Sequence, residues 1–199
     1  MKHIASLLFV FSACPLLADE TRHLDSHEHG VGTLDIAIDG PSVTMAFRAP
    51  GADIVGFEYA AKSAADRAAV DAAVATLARP VDLFVLPAAA ACSVTKASAG
   101  LESDGADGAD GAHTEHRDHA DEHAHTDHDD HSEEAGHTEF RAEYTLTCER
   151  SDALTQIEFA YFDTFENARE VEVQIITGSG ARAFDVERDA PTLDLRTLF

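Results

Sequence analysis

Eight histidines lie within a 25-residue stretch: His113, His116, His119, His123, His125, His128, His131 and His137. Successive gaps are 3, 3, 4, 2, 3, 3 and 6 residues. Nine Asp or Glu residues are interleaved with them, among them Asp118, Asp121, Glu122, Asp127, Asp129 and Asp130. Neutral imidazole is the commonest metal-ligating side chain. Gaps of two to four residues let several side chains of one segment close on a single ion. The carboxylates add oxygen donors and a negative potential. This chemistry predicts several exchangeable divalent-metal sites rather than one rigid cage. Zn²⁺ accepts nitrogen and oxygen ligands together. Intrinsic affinity favours Ni²⁺ and Cu²⁺, but His and carboxylate donors without Cys or Met clusters suit Zn²⁺ and Ni²⁺ better than Cu⁺. Two other readings stay open: a pH-responsive tract, since imidazole titrates near pH 6.5, and a solvated charged linker.

A second candidate is His27-Glu28-His29, followed by Gly30. Histidines two apart lie on the same side of an extended chain, so His27 and His29 could form half of a site that other parts of the fold complete. Evidence for catalysis is absent: the sequence holds no Gly-x-Ser-x-Gly, no His-Glu-x-x-His and no phosphate-cradling glycine loop. No enzyme is expected.

The elements that must position these residues begin with composition. The 199 residues carry 37 acidic and 14 basic side chains, a formal charge of −23. Nucleic acid is excluded as a partner, because phosphate binding needs a basic stripe. An acidic chain does attract cations. Lys2 followed by the apolar run from Ile4 to Ala18 reads as a signal peptide over residues 1–18, too short to span a bilayer. The mature protein is therefore expected in the periplasm, without membrane insertion. A lipid anchor at Cys14 is the alternative, disfavoured by Phe11 and Pro15.

Export leaves Cys92 and Cys148, 56 positions apart, and an oxidising compartment makes a disulfide the simplest reading. Thiolate ligation of a metal remains open, although Cys-x-x-Cys spacing is lacking. The pattern from Val31 to Ala49 predicts a β-hairpin turning at Gly40-Pro41. Ser63 with Asp66 caps a helix from about 64 to 78, with Val70, Val74 and Leu77 on one face. Residues 54–59 read as an apolar loop, and 81–87 as an edge strand or extended loop. Strands are expected around Cys92, over 140–148 and 154–160, and as a hairpin over 171–186. Residues 99–137 hold almost no large aliphatic side chain to repay ordering. The expected architecture is α+β: antiparallel sheet built from hairpins, one main helix, and a disordered His/Asp-rich insertion. Residues 19–98 and 138–199 would form one domain. A disulfide would fasten the base of the inserted loop.

His27-Glu28-His29-Gly30-Val31-Gly32-Thr33-Leu34, Gly40, Ala49-Pro50 and Gly56-Phe57-Glu58 resemble the N-terminal half of ZrgA-type periplasmic zinc-uptake proteins. The layout is similar too: helix, cysteine strand, His/Asp-rich insertion, second cysteine strand, terminal hairpin. Thr177-Gly178-Ser179-Gly180-Ala181 and Pro191-Thr192-Leu193 resemble the family's ending. The resemblance implies a periplasmic Zn²⁺-binding protein that assists uptake, working with a zinc ABC importer or its binding protein. Of the metal positions it implies, His27 and His29 match. Tyr59 stands where it leads one to expect histidine. The competing functional class is an extracytoplasmic protein-binding module whose His tract senses pH or buffers nickel or copper.

Overall fold

The computed structural model describes residues 28–103 and 137–198. Alternation writes the first hairpin. In β1 (Val31–Asp39), Leu34, Ile36 and Ile38 point inward; in β2 (Ser42–Pro50), Val43, Met45 and Phe47 do so. The strands pair from Thr33↔Arg48 to Asp39↔Ser42. A period of two puts every second side chain on the buried face, which is why the hairpin follows from sequence alone.

The chain then bends into α1 (Gly51–Val55), closed by Gly56 in a left-handed conformation. This short helix takes in Ile54 and Val55, the first two residues of the loop expected over 54–59; residues 56–59 are loop. The main helix, α2 (Ala64–Leu77), carries the expected cap: Ser63 Oγ accepts from the Asp66 amide, and Asp66 accepts from the Ser63 amide. Its end is tied to the large sheet, for Tyr144 Oη donates to the Leu77 carbonyl at 2.9 Å. Pro80 opens α3 (Pro80–Leu83), which runs into β3 (Phe84–Val85). Helix and minimal strand together occupy the segment expected as a strand or loop.

The strand β4 (Cys92–Ser103) pairs along β5 (Thr138–Cys148), from Cys92↔Cys148 to Ser103↔Thr138. Residues 99–103 thus belong to the sheet, not to the insertion. The reason is cross-strand packing: Ala99 and Leu101 pair with the buried Ala142 and Phe140. Remaining elements are β6 (Gln156–Phe159), α4 (Tyr161–Thr164), β7 (Glu170–Thr177), β8 (Gly180–Glu187) and β9 (Thr192–Asp194).

A six-stranded sheet runs in the order β4-β5-β2-β1-β7-β8, and a three-stranded one in the order β3-β6-β9. The large sheet is mixed, because β1 and β7, the fourth and fifth strands of that order, pair in parallel. The expectation of purely antiparallel sheet is corrected there. The small sheet and α4 cover the large sheet's inner face through aromatic rings: Phe47 lies 5.6 Å from Phe84 and 5.1 Å from Tyr161, centroid to centroid. Buried side chains from both sides of the insertion form one cluster.

Cys92 and Cys148 are joined in a disulfide. Both thiols are consumed, which removes the thiolate-ligand reading. The bond sits at the opposite end of the β4–β5 ladder from the insertion, roughly 35 Å away at about 3.3 Å per residue. It therefore does not fasten the insertion's base; the Ser103↔Thr138 pair does that.

Candidate metal centre

Three separate parts of the chain converge beside this base. His29 sits in the turn that leads into β1. Its neighbour Gly30 takes a φ of +93°, and the Gly30 carbonyl accepts from the amides of Arg169 and Glu170 at 2.8 and 2.9 Å. Gly30 N–H donates to Asp53 Oδ1 at 2.7 Å. The turn is thus held from β7 on one side and from α1 on the other.

Glu58 follows α1, and His137 immediately precedes β5. They are brought together by a backbone approach at Gly51. A Cβ there would stand 2.3 Å from Thr138 Oγ1 and 2.7 Å from the Phe57 carbonyl oxygen, so no other residue fits without displacing backbone. Phe57 and Thr138 are the neighbours of Glu58 and His137, which fixes these two side chains against each other.

The outcome is a clasp. His29 Nε2 lies 3.0 Å from Glu58 Oε1, and His137 Nδ1 lies 3.0 Å from Glu58 Oε2. The imidazoles are well exposed, each 63% accessible, while the Glu58 side chain is only 15% accessible. The contact with Glu58 raises the His29 pKa above its ordinary value. Burial pushes the Glu58 carboxyl up, but the hydrogen bonds and charges of His137 and His29 outweigh it and hold it below the usual value. Behind the clasp, Asp53 is 2% exposed. Burial raises its pKa, against the opposing pull of the Gly30 amide and the His29 charge.

Of the histidines expected to bind metal, His29 and His137 are therefore in one place. His137 belongs to the foot of β5 rather than to a free tract. His27 and the tract residues His113, His116, His119, His123, His125, His128 and His131 lie outside the described residues. Among the described residues, no group of three His, Cys, Asp or Glu side chains is placed to hold a metal ion; the two imidazoles engage different oxygens of Glu58. Tyr59 does not join them; it is exposed and its ring stacks on Phe57 at 4.7 Å. Asp53 carried no signal in the sequence, being one acid among 37, and Glu58 stood out only as part of Gly56-Phe57-Glu58, with no ligand role read from it. A depression of about 580 Å³ on the open sheet face, between Asp35, Thr44, Lys96, Glu143 and Gln174, includes none of the clasp residues.

Two exposed imidazoles thus share one largely sheltered carboxylate. Neutral imidazole and carboxylate are both zinc donors. The family profile described as ZrgA family zinc uptake protein matches residues 26–195, a span that takes in the clasp and both cysteines. The chain belongs to the ZrgA family of zinc uptake proteins. A comparison with curated proteins finds no match. For this ZrgA-family chain, no helix among the described residues is long and apolar enough to cross a membrane.

Proposed function

We propose that this protein captures Zn²⁺ in the periplasm through its His/Asp-rich insertion and assists uptake by passing the ion to an inner-membrane importer or its binding protein. It works as a non-enzymatic metal carrier. Residues 1–18 direct export; residues 28–103 and 137–198 build the scaffold. The ligands of the capturing segment are His113, His116, His119, His123, His125, His128, His131 and His137, with the interleaved acids. Family membership supports zinc as the cargo.

The observation that carries this reading is the way the insertion is mounted. It leaves at Ser103 and returns at Thr138, paired residues at the end of one ladder, and its last histidine rests against Glu58. A ligand-rich segment is thereby held by both ends beside two more zinc donors, His29 and Glu58. Ions bound by two or three side chains of such a segment exchange readily, as transfer requires.

The test is calorimetric zinc titration of the mature chain beside a full-length variant with the seven histidines from His113 to His131 replaced by asparagine. Several equivalents in the first and loss of most in the second are expected. Equal stoichiometry in the two proteins overturns the proposal.

A further inference from the structure

β4 is the outermost strand of the large sheet: β5 pairs with one side of it, and no described strand pairs with the other. Its free side presents a row of backbone N–H and C=O groups. The run from Ser93 to Ser98 is exposed. Edge strands are usually blunted by charges, a proline or a bulge. β4 holds no proline, and its one register shift lies near its start, between Val94 and Lys96. From Lys96 to Ser103 its ladder is regular. An edge this open and regular is a template for another strand.

Only two residues of β4 are charged, Lys96 and Glu102. They are opposite in sign and six positions apart, an even separation that places them on one face. That face is the outer one: Lys96 borders the open depression with Glu143 and Thr145, and Glu102 reaches Arg141 at 2.9 Å. Lys96 makes no ion pair among the described residues.

We propose that two copies of this chain pair edge to edge through β4, antiparallel about a two-fold axis at Ala99. In that register Lys96 of each copy faces Glu102 of the other, Ala97 faces Leu101, Ser98 faces Gly100, and Ala99 faces its own counterpart. Facing residues lie an even number of positions apart, so the N–H and C=O groups on the free side of one copy meet those on the free side of the other. The outer face has room, since a Cβ added at Gly100 meets nothing within 4 Å. Across the axis the inner-face contacts are apolar, between half-buried Ala99 and Leu101 and exposed Ala97. The backbone ladder supplies the attraction, and the charges set the register. A two-fold contact uses the same patch on both copies, and the Lys96–Glu102 pattern is complementary to itself. The opposite edge lacks this property. On β8, Arg182 is three and five positions from Asp185 and Glu187, odd separations that put it on the other face from both.

The acidic insertions do not collide in this dimer. Ser103, where each insertion leaves, faces Thr95 of the other copy. The two exits therefore stand about 26 Å apart at roughly 3.3 Å per residue, beyond the Debye length of about 8 Å.

The experiment is sedimentation equilibrium of the mature chain from micromolar to millimolar protein, with a chelator present so that no metal bridges two chains. Wild type is compared with Lys96→Glu, Glu102→Lys, the one-to-one mixture of these two, and the double reversal. Wild type should dimerise reversibly. Each single reversal sets like charges opposite each other twice and should weaken dimerisation about tenfold. The mixture and the double reversal restore opposite charges and should recover wild-type association, a pattern that misfolding cannot produce. Ala99→Cys should cross-link to itself in air, because facing Cα atoms of an antiparallel pair stand about 4.5–5.5 Å apart, within disulfide reach. Ala97→Cys should not, since its counterpart lies about 13 Å away along the strand.

A wild-type chain that stays monomeric at millimolar concentration overturns the proposal. So does association that appears only when the chelator is withheld. A dimer that the single reversals leave intact, or that the mixture fails to restore, overturns it equally, because the contact then lies on another surface.

Discussion

Glu58 and His137 are 79 positions apart in sequence and meet at 3.0 Å. That contact pins the return of the insertion to the scaffold, on the same carboxylate that receives His29 from the opposite side. The two histidines approach from different segments, and the glutamate reaches them only because α1 turns the chain back after β2.

Glu58→Gln should release the proton that the clasp holds. In the metal-free protein His29 titrates above its ordinary 6.5 because of Glu58. With glutamine at position 58 its titration, followed by NMR of the imidazole, should fall back toward that value. The linkage follows from the signs. The raised histidine contributes fully below about 6.5 and its contribution fades as pH rises through its folded pKa. The lowered glutamate contributes fully above about 4.5 and fades as pH falls through its folded pKa. The clasp is therefore strongest between these limits. An unchanged His29 titration in Glu58→Gln would refute the clasp.

Gly51→Ala should destabilise the fold by about 1–3 kcal/mol, the usual cost of overpacking. The added Cβ meets Thr138 Oγ1 and the Phe57 carbonyl at distances no real methyl tolerates. Urea unfolding measures the loss. Because the same approach seats Glu58 against His137, the His29 titration should also shift toward normal. A fully stable Gly51→Ala protein would contradict the close approach.

Replacing both cysteines, Cys92→Ser with Cys148→Ser, should cost about 4 kcal/mol through loop entropy returned to the unfolded chain. Zinc stoichiometry should not change, since the bond closes the far end of the β4–β5 ladder from the insertion. Calorimetry on the refolded double variant checks this. A loss of bound zinc despite a native circular dichroism spectrum would show that the bond supports the metal-binding end after all.

Glu170 offers a pH prediction away from the clasp. Its partial burial and the acids Asp185, Glu187, Glu172 and Glu28 raise its pKa. A carboxyl raised on folding favours the folded state only below its unfolded value, about 4.5, and loses that contribution as pH rises. Glu170→Gln should therefore raise Tm at pH 7, modestly because the group is open to solvent and salt, and leave it unchanged at pH 4. Thermal scans at both pH values decide; a lower Tm at pH 7 would refute the repulsion.

Much of the scaffold was legible in the sequence because short-range physics wrote it. Alternation through Leu34, Ile36, Val43, Met45 and Phe47 gave the first hairpin, and Ser63 with Asp66 marked the start of α2. The β1–β7 pairing was not legible, since alternation looks the same in parallel and antiparallel strands. Five-residue α1 was too short to show a period. By type and spacing the histidines point to metal chemistry, whereas Glu58 stood only within Gly56-Phe57-Glu58 and Asp53 in no motif. Their roles depend on Gly51 letting two distant backbones touch, which only the fold displays. His27 and the seven histidines from His113 to His131 stand as the sequence presented them.

The most direct measurement is equilibrium dialysis of the mature full-length chain against zinc at neutral pH, followed by metal analysis after removal of free ion. The account predicts that the protein emerges with more than one Zn²⁺ per chain, most of it lost when the histidines between His113 and His131 become asparagine. A chain that comes out of dialysis without zinc would contradict it.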